Sequence, residues 1–87
     1  IAVYAPGHSD DSVCILCEEE QLLFSGDVPM RIYSHDGEFT SQFLDAYELF
    51  VSAEVKTIYP GHGDQITYRV PHLMEESLRN IRHSRIV

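Results

Sequence analysis

A chain of 87 residues is one domain at most, and 44% hydrophobic with 23% charged residues describes a folding segment with a modest core rather than a disordered one. A formal charge of −8 with only six Lys and Arg excludes a nucleic-acid-binding surface, because phosphate neutralisation needs clustered cations. No apolar run approaches the ~18 residues of a bilayer span, which excludes membrane insertion of this segment.

The chain begins at Ile1, without an initiator methionine and already inside an apolar run, which predicts that an upstream segment has been removed. Residues 1–5 (IAVYA) read as a strand stopped by Pro6-Gly7, and residues 12–17 (SVCILC) as a second, rich in β-branched and apolar side chains. Cys14 and Cys17 spell C-x-x-C, but inside a strand an odd spacing of three sends the two sulfurs to opposite faces. They read as free thiols packed like small hydrophobes rather than as a metal or redox pair. Residues 18–21 form a polar turn, residues 22–25 (LLFS) a third strand stopped by Gly26-Asp27, and a polar loop runs through Ser34-His35-Asp36-Gly37.

From Phe39 the period changes. Phe39, Phe43, Ala46, Tyr47 and Phe50 recur at helical spacing, with Thr40 as cap and Phe39 and Leu44 as a hydrophobic staple across it. Residues 55–59 (VKTIY) return to strand character. A final helix is predicted over 71–82, with Pro71 at its first position and Met74, Leu78 and Ile81 on one face. Arg82, His83 and Arg85 suit the negative end of its dipole.

The tripeptide Pro-Gly-His occurs twice, at Pro6-Gly7-His8 and Pro60-Gly61-His62. Short joins make the first three strands antiparallel neighbours, so the first and third run the same way. The third strand, the helix and the fourth strand form a βαβ unit with parallel strands. His8, Asp27 and His62 therefore follow three strand ends at one sheet edge, each beside a glycine that permits a close turn. Each alone is an ordinary turn residue. Together, two imidazoles and a carboxylate are ligands for zinc, iron or manganese.

Three stretches in order, APGHSDDSV from Ala5, LFSGD from Leu23 and IYPGHG from Ile58, resemble the second half of a metallo-β-lactamase superfamily domain of the glyoxalase II-like hydrolase kind. That family carries T-P-G-H-T-x-G-S, L-F-x-G-D and P-G-H-G in this order, and its closing helix is similar to the one ending near Arg82-His83-Ser84-Arg85. The resemblance implies an α/β fold, half of an αβ/βα sandwich, with a mixed sheet of about four strands and two helices. Residues 1–87 would be the C-terminal part of the domain, with the N-terminal half absent.

It further implies two divalent metal ions, zinc or alternatively iron or manganese. His8 would bind the first, His62 the second, and Asp27, the catalytic carboxylate, would bridge them. Hydroxide formed between the metals would attack an ester, thioester, lactam or phosphodiester. The family's H-x-H-x-D-H motif does not occur here: His35, His72 and His83 lack its spacing. The resemblance thus leaves the metal site incomplete, the chain alone inactive, and an apolar face to be covered by the N-terminal half or by a second copy.

Ser9-Asp10-Asp11 departs from the family pattern and reads as a solvated turn, or as carboxylates orienting His8. His35 reads as a solvated loop residue or a substrate contact, and His72 and His83 as surface residues. Tyr33 and Tyr68 are candidates for lining a substrate pocket. Partners are a small-molecule substrate and the N-terminal half, with no nucleic acid and no membrane; the location is read as cytoplasmic. Two other functions fit the motifs: an iron-dependent oxidoreductase (dioxygenase or di-iron flavoprotein) on the same fold, and a non-catalytic half-domain that docks on another chain.

Overall fold

A computed structural model describes residues 1–6 and 13–87. In chain order the elements are β1 (Ala2–Tyr4), β2 (Val13–Cys17), β3 (Leu22–Gly26), β4 (Glu38–Phe39), α1 (Ser41–Ser52), β5 (Thr57–Pro60), α2 (Val70–His83) and β6 (Arg85–Ile86). The main sheet has four strands in the order β1-β2-β3-β5, antiparallel at the first two junctions and parallel between β3 and β5. This is the mixed sheet that the connection lengths predict, and β1, β3 and β5 all end at one edge.

Alternation along the strands gives the sheet two different faces. Leu16, Leu23 and Ile58 stand side by side in register and are fully buried under the helices. The opposite row, Ala2, Ile15, Phe24 and Tyr59, also crosses all four strands, with Phe24 stacked on Tyr59 at 5.1 Å. No element among the described residues covers this second face. Tyr4, Val13, Ile15 and Phe24 stay 43–50% exposed.

Cys14 and Cys17 are free and fall on opposite faces, as their spacing predicts. Burial pushes the Cys14 thiol up to about 11, because the thiolate loses its hydration.

The helices cover the first face by the stripes read from the sequence. Phe43, Ala46, Tyr47 and Phe50 of α1 are buried, and the rings of Phe39, Phe43, Tyr47 and Phe50 follow one another at 5.3, 6.1 and 6.4 Å. From α2, Val70, Met74, Leu78 and Ile81 join the core, with Pro71 in the first turn. Thr40 caps α1: its hydroxyl accepts from the Phe43 N–H at 3.0 Å and donates to the Pro6 carbonyl at 2.7 Å.

Three local features differ from the sequence reading. Phe39, before the cap as expected, belongs to a strand that was not expected, β4, which pairs in parallel with β6, and its ring stacks on Phe43. Arg85 lies in β6 rather than in the last turn of α2; its N–H bonds the Gly37 carbonyl at 3.0 Å and its side chain reaches Glu38 at 3.9 Å. Past β5 the chain folds back so that Ile66 pairs with Ile58, exchanging hydrogen bonds of 2.9 and 2.8 Å along the outer side of that strand. Among the described residues no helix is long and apolar enough to cross a membrane.

Candidate metal centre at the sheet edge

The pairing register between β3 and β5 slips by one residue: Phe24 faces Tyr59, whereas Gly26 faces Pro60. Ser25 is the extra residue. Its hydroxyl is buried with no hydrogen-bond partner among the described residues, while its carbonyl accepts from the Val28 N–H at 3.0 Å and closes the turn that carries Asp27. A slip of this kind re-aims the residues beyond it. Gly26 then takes a left-handed backbone, φ 57°, which costs a glycine little.

The Pro60-Gly61-His62 turn lies directly against this one. The Gly61 N–H donates to the Gly26 carbonyl at 2.8 Å. A Cβ on Gly61 would sit 3.1 Å from the Gly26 carbonyl carbon and 3.2 Å from Asp27 Oδ1, so only glycine leaves room for this approach without displacing Asp27. The result is a contact between His62 Nε2 and Asp27 Oδ1 at 3.3 Å. Both side chains face solvent, 91% and 72% exposed, and so stand open to a ligand.

Of the three sequence-predicted ligands, the structure brings Asp27 and His62 together. His8, with Asp10 and Asp11, lies outside the described residues. Among the described residues no three His, Cys, Asp or Glu side chains are grouped closely enough to hold a metal. The pair nevertheless fits a divalent cation on three observations: a carboxylate and an imidazole in contact, a glycine cradle that a Cβ would fill, and an orphaned buried hydroxyl two residues before Asp27.

The other candidates are placed apart from this pair. His35 is exposed beside Asp36, whose carboxyl is held below its usual range by the Ser34 hydroxyl, its own backbone N–H and the His35 charge. His72 pairs with Glu76 one turn along α2 at 3.1 Å, and His83 is exposed at the end of that helix. Tyr33 and Tyr68 are 84% and 80% exposed and line one groove of ≈ 560 Å³. A second groove of ≈ 480 Å³ contains His62 and Ser25, and the two share Arg31, Gln65 and Ile66. The part played by Ser25 had no signal in the sequence, whereas that of Gly61 was marked by the glycine of the repeated tripeptide.

No family model matches the chain. Among curated proteins it is 31% identical over 86 residues to an atrochrysone carboxyl ACP thioesterase of Aspergillus fumigatus, spanning 99% of this chain and 27% of that protein. It is 33% identical over 79 residues to the lactamase-like protein nscB of Trichophyton verrucosum, 91% of this chain and 27% of that one. With the thioesterase pkgB of Emericella nidulans it shares 39% over 69 residues, 75% of this chain and 19% of the relative. The chain thus spans about a quarter or less of the length of these relatives. Among solved structures, a metallo-beta-lactamase family protein of Thermus thermophilus superposes with a TM-score of 0.64 at 24% identity, over 93% of this chain and 29% of that one.

A mixed sheet with helices on one face is thus the fold of a metallo-β-lactamase, in the form of half an α/β sandwich. The lactamase-like and thioesterase relatives, together with this fold, support the metallo-β-lactamase superfamily for the chain.

Proposed function

We propose that this chain supplies the C-terminal half of the active centre of a metal-dependent thioester hydrolase. The observation that carries the reading is the Asp27–His62 contact at the edge where three strands end, joined to relatives that are named thioesterases. His8 and His62 would hold one divalent metal ion each, zinc or alternatively iron or manganese, with Asp27 shared between them. Such ions supply a Lewis acid that acidifies water and polarises a carbonyl. Asp27 offers two oxygens and full charge, which suits a carboxylate between two cations. The Gly61–Gly26 hydrogen bond fixes the distance between the two turns. Thioester is favoured over lactam or phosphodiester by the relatives' names alone.

The remaining ligands, of the H-x-H-x-D-H kind, would come from an N-terminal half lying over the row of exposed Ile15 and Phe24 and half-buried Tyr59. The 87 residues alone would therefore be inactive, and the open apolar face supports reading them as a half-domain that docks on its other half.

The test is metal analysis and thioester hydrolysis with the full-length protein. Stoichiometric zinc, iron or manganese, with His62→Ala and Asp27→Asn each losing at least one equivalent and about 10²-fold or more in kcat, supports the reading. Wild-type protein that takes up no metal, or a His62→Ala variant of unchanged activity, overturns it. Iron uptake with oxygen consumption and no hydrolysis would instead favour the oxidoreductase.

A further inference from the structure

The ≈ 560 Å³ groove adjoining the candidate centre has one wall that is held in place at a cost. This wall is the irregular segment around Met30, Arg31, Ile32 and Tyr33, which belongs to no helix or strand. Ordering such a segment costs backbone entropy. Among the described residues, three side chains hold it. The Tyr47 hydroxyl donates to the Met30 carbonyl at 2.6 Å, Ser77 Oγ accepts from the Ile32 N–H at 3.1 Å, and Asn80 Nδ2 donates to the Ile32 carbonyl at 2.7 Å. Met30 and Ile32 turn inward, so Arg31 and Tyr33 stand out into solvent from a fixed backbone.

Tyr68 and Arg69 also line this groove. Ion pairing separates these two arginines from Arg82 and Arg85. With 14 Asp and Glu against six Lys and Arg, cations have acids to spare, and Arg82 and Arg85 do pair with Glu48 and Glu38 at 3.0 and 3.9 Å. The side chains of Arg31 and Arg69 have no hydrogen-bond or ion-pair partner among the described residues; that of Arg79 has none either, but Arg79 does not line this groove. The acids near them are Glu76, engaged with His72, and Asp64 on the neighbouring groove. A guanidinium presents a planar fork of donors that matches a phosphate.

The groove is open along its solvent side and runs into the one containing His62 through Arg31, Gln65 and Ile66. Its volume falls among those of small-molecule sites, about 300–1,000 Å³. A linear ligand with one reacting end and one anionic end suits this shape. We propose that the groove holds the phosphopantetheine arm of the thioester substrate, with its phosphodiester on Arg31 and Arg69 and its amide stretch along Tyr33 and Tyr68. The arm is common to coenzyme A and to acyl-carrier proteins, and the groove reads that shared chemistry. This inference rests on the thioesterase reading.

The test uses the full-length protein, its Arg31→Gln and Arg69→Gln variants, and one acyl group on four carriers: N-acetylcysteamine, which lacks the phosphate, phosphopantetheine, coenzyme A and a carrier protein. Binding of free phosphopantetheine and free pantetheine is measured alongside by calorimetry. The expected result is that each variant lowers the ratio of kcat/KM for the three phosphate-bearing thioesters over the short one by about tenfold. Wild-type protein should also bind phosphopantetheine more tightly than pantetheine, and the variants should lose that preference.

An unchanged ratio, or no preference for the phosphate in wild type, overturns the inference while leaving the hydrolase reading intact. An effect confined to the carrier-protein substrate overturns it too, because the arginines would then touch the carrier's own surface. A phosphate preference that both variants abolish, in a protein that hydrolyses none of the four, sustains the groove and sinks the thioesterase.

Discussion

Gly61 is the residue on which the candidate centre turns. Its requirement is for space: a Cβ would press on the Gly26 carbonyl and on Asp27 Oδ1 at 3.1–3.2 Å. Gly61→Ala should cost about 1–3 kcal/mol of stability as an overpacked contact and should also drive Asp27 and His62 apart. Metal content in the full-length variant should therefore fall even where a urea titration finds most of the protein folded; unchanged metal content would show that the two turns need no such closeness. Asp27 and His62 were legible in the sequence because strand polarity alone decides which ends share an edge. The unpartnered Ser25 hydroxyl and the Gly26–Gly61 hydrogen bond were not, since both depend on a one-residue slip in pairing that no local pattern encodes.

At the scale of elements, the start of α1 does two jobs through one hydroxyl. Thr40 satisfies the Phe43 N–H and also anchors Pro6, the first residue of the first Pro-Gly-His. Thr40→Ala should lower stability by about 1–2 kcal/mol, read as a shifted urea midpoint at constant slope, and Thr40→Ser should restore most of it. Equal loss in both variants would mean that the methyl group, rather than the cap, matters. Both helices were legible because a stripe of three- and four-residue spacings survives over several turns, and Thr40 and Pro71 mark their beginnings. The pair β4 and β6 was not legible: two-residue strands carry no period, so Phe39 read only as a staple before the cap and Arg85 as part of a helix end until tertiary pairing drew them out.

For the whole molecule, loop lengths were enough to order and orient the four strands, and the core followed from strand alternation. What the alternation left open was which face had a cover. Ile15 and Phe24 face each other in register on the bare side, so the isolated 87-residue chain should self-associate in sedimentation and bind a hydrophobic dye. Ile15→Lys with Phe24→Lys should reduce both without unfolding the helix layer, whereas a wild-type chain that sediments as a clean monomer would remove the need for a covering half. The sheet is also asymmetric in a second way. By turning back, Ile66 takes up both backbone groups of Ile58, so β5 has little left to offer a newcomer, while β1 ends the strand order at the other side. In the language of crystal growth, the sheet is capped at its β5 end, so a strand that extended it would not be added beside His62.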